Sequence, residues 1–317
     1  MTADQAANGA PKSRSDVSVR LALVTFVVSL IVGLAFYAVK GRRLWFFGVF
    51  GDEWDFLAGR RLNVDDLLRP HGDHLVALPA FVFRLLFTTF GLRSYLPYQF
   101  ASIGLHLAAA ALVRLVMRRA GVSPWIATAA ATLFVFFGAG SENILIAFQI
   151  TFTGALVLGL TQLVLADHVG PLDRRDAAGL VAGLGALLCS DVALVMIGTV
   201  GVAAVLARRW RAAAFHVLPL AAVFLAWSVG YARSPHATFD RTHFENAVRT
   251  TATSTFDALG QVPFVGWALA VMLVIGLALS LHDTPRIERQ RRLGAPVALL
   301  AGALAFMSLI AVTRGGL

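Results

Sequence analysis

The sequence predicts an all-α protein, a polytopic bundle of about nine transmembrane helices with interfacial helices in its first outer loop. Of the 317 residues, 58% are hydrophobic and only 14% are charged, whereas soluble proteins contain about 25% charged residues. Apolar runs long enough to cross a bilayer recur along the chain, and the arginines fall in short clusters between them. This pattern is typical of a multi-pass membrane protein.

The charge and the cysteine content narrow the classes of partner. The net charge of +9 comes from basic residues beside apolar segments, so we expect no nucleic-acid partner. The single cysteine, Cys189, excludes an internal disulfide and a cysteine metal cluster. We therefore expect a protein of the plasma (inner) membrane that is surrounded by membrane lipids.

The N-terminal region predicts the orientation. Residues 1–20 are rich in Ala, Ser, Asp and Gly and show no periodicity, so they are predicted to be a disordered cytoplasmic segment. The first span is expected at residues 21–39, after Lys12, Arg14 and Arg20. Positive charge before the first span places the N-terminus in the cytoplasm, so the loop that follows the span lies outside.

Residues 21–317 form the predicted transmembrane domain, with extracytoplasmic loops at 40–94 and 232–261. In the first loop, short helices are expected between Trp54 and Leu68. Residues 75–90 are apolar but shorter than a comfortable span, so we expect a helix that lies along the outer leaflet. A true span at 75–90 is the alternative, and it would place every later arginine cluster outside, which disfavours it.

The later spans are expected at 95–117, 124–140, 144–165, 213–231, 262–281 and 296–312, with two shorter helices between 180 and 207. The two shorter helices are expected to meet at the outer face, at Cys189, Ser190 and Asp191. Few ionisable groups fall near helix centres, whereas a proton-coupled transporter usually carries carboxylates at mid-depth. The sequence therefore favours chemistry in the outer loops.

Residues 51–74 gather acids, bases and imidazoles in a chain that otherwise avoids charge. Asp52 and Glu53 form an acidic doublet soon after the first span, and either carboxylate can take a proton from a hydroxyl group as a general base. The alternative is that both acids merely cap a short helix near Trp54. We assign Asp52 and Glu53 as the candidate catalytic residues because of their place in this polar loop.

A transferase outside the plasma membrane has no nucleotide sugars, so it needs an activated donor dissolved in the bilayer, such as a polyprenyl-phosphate sugar. The phosphate is a good leaving group, and arginine binds phosphate through bidentate hydrogen bonds. The candidate ligands of the donor phosphate are the outer arginines: Arg42, Arg43, Arg60, Arg61, Arg69 and Arg93.

Other polar side chains of the outer loops are candidate substrate ligands: Asp55, His71, His74, Glu142, Asn143 and Gln149. Helix capping and surface charge are the alternatives for several of them. His71 and His74 in HGDH could coordinate a metal with Asp73, but no further ligand lies near in the sequence, so we predict no metal site. The spacing in DEWD does not match an Asp-x-Asp metal site. Use of a divalent cation as a cofactor is left open by the sequence.

Four features follow one another along the chain: a cytoplasmic N-terminus, one span, the acidic doublet Asp52 and Glu53, and the segment HGDHLVALPAFVFRLLFTTFGLRSYLPYQFASIGLHLAAAALVRLVMRR. This layout resembles the GT-C superfamily of integral-membrane glycosyltransferases, most closely the branch with protein O-mannosyltransferases and bacterial polyprenyl-phosphate-sugar-dependent transferases. The resemblance implies an inverting transferase with Asp52 as base, Glu53 beside it and outer basic residues at the donor phosphate. The acceptor would be a cell-envelope glycan, lipid or protein. Because the family often has more spans and a soluble C-terminal domain, a C-terminal part is expected to be missing here.

The competing hypothesis is a non-catalytic membrane protein, either a translocator of lipid-linked sugars or an assembly subunit. A hydrophilic path between the two faces would favour the translocator. A cleft over the first outer loop would favour the enzyme.

Overall fold

A computed structural model describes residues 14–42, 52–72, 74–231, 245, 263–283 and 285–314. Over these residues the chain is helical, and its only β-type pairing is an isolated bridge between His71 and His74. The prediction of an all-α protein is therefore confirmed. The predicted second outer loop, 232–261, lies outside the described residues except for Glu245.

The helices in chain order are α1 (Arg14–Gly41), α2 (Asp52–Trp54), α3 (Val64–Leu68), α4 (Ala77–Phe90), α5 (Leu96–Arg119), α6 (Pro124–Val135), α7 (Ser141–Leu145), α8 (Ile150–Ala166), α9 (Arg174–Cys189), α10 (Ala193–Leu206), α11 (Trp210–Tyr231), α12 (Pro263–Asp283) and α13 (Arg286–Arg314). A π-helical turn, Asp55–Gly59, continues α2, and 3₁₀ turns lie at Gly138–Gly140 and Ala147–Gln149.

Local signals in the sequence set several of these boundaries. The Ser123 side chain accepts a hydrogen bond from the Ile126 backbone N–H, and Pro124 occupies the first position of α6. At the start of α9, Asp173 and Asp176 form a capping box. Each of these helices therefore begins where side-chain oxygens satisfy the free N–H groups of its first turn.

Five helices of the described chain are long and apolar enough to cross a membrane: Asp16–Gly41, Leu96–Arg119, Ala147–Ala166, Trp210–Tyr231 and Arg292–Leu309. Shorter apolar helices lie at Ala77–Phe90, Pro124–Val135, Ala193–Leu206 and Ala270–Leu279. These lengths support a membrane protein. The count of about nine spans stays a prediction.

Two predicted boundaries are wrong and one is confirmed. Residues 14–20, predicted to be disordered, belong to α1, where Ser18 accepts a hydrogen bond of 2.9 Å from Trp125 Nε1. The span predicted at 124–140 is interrupted after Val135, because the next residue leaves the α-helical conformation. The predicted break between two shorter helices is present, since α9 ends at Cys189 and α10 begins at Ala193.

The elements of the polar loop, residues 52–72 and His74, gather at one end of the bundle, which we call the polar end. His74 Nδ1 lies 2.5 Å from Asp191 Oδ1, in the turn between α9 and α10. Trp227 Nε1, in the last turns of α11, donates a hydrogen bond of 2.8 Å to the Leu68 carbonyl. These contacts bring residues 52–74 over the ends of α9, α10 and α11.

The basic turns lie at the other end. Arg119, at the end of α5, donates a hydrogen bond to the Val164 carbonyl near the end of α8. Arg209, between α10 and α11, donates to the Ala166 carbonyl at 2.5 Å. The fold thus separates an arginine-rich end from the polar end, as the positions of the arginines in the sequence predict.

Helix α4 packs against the π-helical turn at the polar end. Its 14 residues rise about 21 Å, which is less than the hydrocarbon core of about 30 Å. Phe83 of α4 is fully buried against Phe56 of the π-helical turn, with ring centroids 5.5 Å apart. A helix of this length fits the predicted interfacial element better than an upright span.

Candidate functional site

The segment from Asp52 to Gly59 begins as an α-helical turn and widens into a π-helical turn. Such widened turns often occur at functional sites, because they turn side chains away from the regular helix register. Phe56 and Leu57 are buried in the core below. Burial of these two side chains fixes the turn and leaves the carboxylates of Asp52 and Asp55 half-buried at its surface.

Asp55 is the centre of an ion-pair network. Its Oδ2 accepts a hydrogen bond of 2.8 Å from Arg60 Nε, and its Oδ1 accepts one of 2.7 Å from Arg69 Nη2. Burial raises the pKa of Asp55, but hydrogen bonds from Arg60 and His71 and the charges of Arg60 and Arg69 outweigh burial and lower the pKa overall. Asp55 is therefore a carboxylate at neutral pH.

His71 joins Asp55 to Asp52. Its Nδ1 lies 3.0 Å from Asp55 Oδ2 and its Nε2 lies 3.0 Å from Asp52 Oδ1. A tight turn holds the ring, since the backbone N–H and C=O groups of His71 and His74 bond to each other and Gly72 between them has φ 58, a conformation that favours glycine. The result is a carboxylate–imidazole–carboxylate chain that ends at Asp52.

Glu53 points into the protein and has a different environment from Asp52. It is 3% exposed and accepts a short hydrogen bond from the Tyr95 hydroxyl. The Tyr95 oxygen in turn accepts a hydrogen bond of 2.7 Å from the Ala147 backbone N–H. Burial and the charge of Glu53 raise the pKa of Tyr95 far above its ordinary value. The doublet therefore splits into one solvent-facing carboxylate and one buried carboxylate.

A second imidazole–carboxylate pair, His74 and Asp191, lies beside the first. Asp191 Oδ1 is 2.5 Å from His74 Nδ1 and accepts a hydrogen bond of 3.3 Å from Ser190 Oγ. Ser190 is fully buried and ends α9 at the break that the sequence predicts. This pair connects the polar loop to the turn between α9 and α10.

These groups surround a cavity of about 640 Å³, which is in the size range of small-molecule sites. It is lined by Asp52, Glu53, His71, Gly72, His74, Val76, Glu142, Ile146, Phe148, Gln149, Thr151, Phe152 and Ser190. Gln149 Oε1 is buried there without a hydrogen-bond partner in the described chain. The lining combines acids, imidazoles and two aromatic rings, which suits a polyhydroxylated ligand.

The predicted phosphate ligands occupy other places. Arg60 is 2% exposed, and its guanidinium donates to Asp55 and to the carbonyls of Asp66, Arg69 and Pro70. The assignment of Arg60 to the donor phosphate stays a prediction, which its burial and its four hydrogen bonds inside the loop disfavour. Arg42, Arg61 and Arg93 are exposed, Arg69 bonds to Asp55 and to the Gly59 carbonyl, and Arg43 lies outside the described residues.

The predicted substrate ligands are divided between the cavity and its surroundings. His71, His74, Glu142 and Gln149 line the cavity. Asp55 does not line it and acts through His71, and Asn143 is an exposed residue whose backbone carbonyl accepts a hydrogen bond from Ser102. The sequence did not single out Phe148, Thr151 and Phe152, because an aromatic or small polar residue at a helix end carries no distinctive signal.

In the described part of the chain, the group with the spacing of a metal site lies at the arginine-rich end and not at the cavity. His168, Asp173 and Asp176 bring their ligand atoms within 4.8 Å of one another. Asp176 is fully buried and also accepts hydrogen bonds from Arg209 and His216. Because a guanidinium already contacts this carboxylate, the cluster is fully accounted for as a structural ion-pair network.

Comparison with known proteins does not assign a family. The chain matches no family model, no curated protein and no solved structure.

Proposed function

We propose that the protein is a membrane glycosyltransferase that moves a sugar from a polyprenyl-phosphate donor to a hydroxyl of a cell-envelope acceptor, with Asp52 as the general base. The observation that carries the proposal is the chain from Asp55 through His71 to Asp52 at the wall of the cavity. The side chain of Asp52 is 44% exposed, so a substrate hydroxyl can reach it.

The hydrogen-bond arrangement supports a base at Asp52. Both nitrogens of His71 lie against carboxylate oxygens, Nε2 against Asp52 Oδ1 and Nδ1 against Asp55 Oδ2, so the imidazole links the two carboxylates. Asp52 Oδ2 has no hydrogen bond within the described residues, and it can accept a further proton. His71 and Asp55 act as positioning residues, because they fix the carboxylate and its hydrogen bonding.

The reaction balances as a single displacement. The acceptor oxygen forms a bond to the anomeric carbon, its proton passes to Asp52, and the bond between the anomeric carbon and the phosphate oxygen breaks with its electrons on the phosphate. A single displacement inverts the anomeric centre. The released polyprenyl phosphate is stabilised by cations, and the exposed arginines Arg42, Arg61 and Arg93 are the described candidates for that role.

Transfer from radiolabelled polyprenyl-phosphate sugars by the full chain in lipid nanodiscs tests the proposal, with envelope fractions as acceptors. Asp52→Asn removes the base and keeps its shape, so we expect transfer to fall by about 10²-fold or more. Asp65→Asn is the matched control, because Asp65 is an exposed aspartate of the same loop that does not line the cavity. Full activity of folded Asp52→Asn would remove Asp52 from the role.

Mass spectrometry of lipids that copurify with the chain is an independent measurement. A polyprenyl-phosphate sugar in the purified material would support the donor class. A chain that carries no such lipid and releases no labelled sugar from any donor would contradict the enzyme assignment itself.

A further inference from the structure

The charge around the cavity limits which ligands it can hold. Among the described residues, five carboxylates lie at the cavity or directly behind it: Asp52, Glu53, Asp55, Glu142 and Asp191. Of the residues that the structure describes, no arginine or lysine lines the cavity. Three of the carboxylates line it, and Glu142 has no ion pair in the described chain.

The basic groups nearby do not reverse this charge. The guanidinium groups of Arg60 and Arg69 bond to Asp55 and to backbone carbonyls, so their donors face the loop itself. His71 and His74 each contact a carboxylate. Within the described part of the chain, five carboxylates therefore meet two guanidinium groups and two imidazoles, so acidic groups outnumber basic ones around the cavity.

The polar atoms of the lining also favour ligands that donate hydrogen bonds. Carboxylates accept hydrogen bonds and do not donate them, and three of the side chains that line the cavity are carboxylates. Phe148 stacks on Phe56 with ring centroids 5.2 Å apart, and Phe152 also lines the cavity. Rings of this kind offer apolar faces to the C–H side of a sugar, while its hydroxyls bond to the acceptors.

We propose that the cavity is the acceptor subsite and that it selects uncharged saccharides against anionic ones, so that the donor phosphate stays outside it. The assignment of the cavity to the acceptor substrate rests on the proposed function. The charge selection follows from the lining alone. It assigns the phosphate and the acceptor hydroxyl to separate places, with Asp52 between them at the cavity wall.

Three matched probes test the charge selection by saturation-transfer NMR on the full chain in nanodiscs: methyl β-glucoside, methyl β-glucuronide and methyl β-glucosaminide. The uncharged glucoside is expected to bind at least about tenfold more tightly than the anionic glucuronide, since a like charge a few ångströms from Asp52 and Glu142 is repelled. The cationic glucosaminide is expected to bind no more weakly than the glucoside. High salt should narrow the difference for the exposed groups.

Two variants connect the selection to the cavity. Glu142→Gln removes one negative charge from the lining, so the preference for glucoside over glucuronide should fall about threefold, a modest change because Glu142 is exposed. Asp65→Asn removes an equal charge outside the cavity and should leave the preference unchanged.

Glucuronide that binds as tightly as glucoside would overturn the inference, and so would the absence of saturable binding by all three probes. Charge ranking as expected with no transfer from any lipid donor would retain the subsite and refute the glycosyltransferase. Transfer that depends on Asp52 but proceeds equally well to anionic and neutral acceptors would do the reverse.

Discussion

Asp55→Asn should loosen the polar loop without unfolding the bundle. Asp55 forms an ion pair with Arg60, whose side chain is 1% exposed, and another with Arg69, whose side chain is 46% exposed. Loss of one partner of a buried ion pair costs about 3–5 kcal/mol. Because Asp55 is 24% exposed and Arg60 keeps three carbonyl acceptors, we expect a smaller loss of about 2–3 kcal/mol, with less than about 1 kcal/mol from the Arg69 pair.

Hydrogen exchange measures this loss locally, because the loop can open without global unfolding. The N–H groups of Leu67, Arg69 and His71 bond to the carbonyls of Asn63, Asp65 and His74. A loss of 2–3 kcal/mol in the free energy of loop opening should speed their exchange by about 30- to 150-fold. Amides in the middle of α5 and α8 should exchange as in the unmodified protein.

Asp65→Asn serves again as the control. Within the described residues the only hydrogen bond of the Asp65 side chain is a weak one from the Tyr231 hydroxyl, at 3.4 Å, so its loss should change exchange less than about threefold. If the same three amides in Asp55→Asn exchange within threefold of the unmodified protein, the ion-pair network does not hold the loop. The positioning role that we give to Asp55 would then fail as well.

Three further predictions concern the pH dependence of the loop, the buried carboxylate of Asp176 and the packing of α8 against α10. Folding lowers the pKa of Asp55, so its carboxylate stabilises the loop fully above the ordinary pKa of 3.8, and this stabilisation is lost as the pH falls toward the lower folded pKa. Hydrogen-exchange protection of the loop, corrected for intrinsic exchange rates, should therefore fall over that pH range. Asp55→Asn should abolish the pH dependence. Asp176→Asn leaves a buried network of two imidazoles and a guanidinium without its carboxylate, so thermal unfolding should occur at least about 5 °C lower while the sugar-probe preference is unchanged. Gly159→Ala would place a Cβ 2.5 Å from Met196 Cβ, so it should separate α8 from α10 and lower the free energy of unfolding by about 1–3 kcal/mol. The control is Gly198→Ala in α10, which should be neutral because the new Cβ meets no atom within 4 Å. Equal effects of the two alanines would contradict the packing of these helices.

The sequence allowed the helical class and the polar loop to be predicted, because both depend on composition along the chain. Asp52, His71 and His74 stand out in any reading of a chain with 14% charged residues. The break at Cys189 was also predictable, since a polar Ser190 and Asp191 interrupt an apolar run that is too long for one span.

The pairings within the loop were not predictable, because they depend on how the chain returns on itself. The sequence predicts Arg60 as a phosphate ligand because arginine is a residue type that binds phosphate. The fold of α3 and the residues after it instead bring three carbonyls to its guanidinium. His74 and Asp191 are 117 residues apart in the sequence. Local pattern carries no information about contacts of that range, so the charge of the cavity became clear only from the structure.

The different environments of Asp52 and Glu53 decide which acid of the doublet can be the base. Glu53 is 3% exposed and bonded to Tyr95, so its carboxylate is far less accessible to a substrate hydroxyl than that of Asp52. The side chain of Asp52 is 44% exposed at the cavity, and its Oδ2 has no hydrogen bond within the described residues, so Asp52 can accept a proton without losing an existing bond. We therefore expect Glu53→Gln to affect mainly the folding of the loop, and Asp52→Asn to affect mainly the turnover number. Loss of turnover in folded Glu53→Gln, with Asp52→Asn still active, would exchange the two roles.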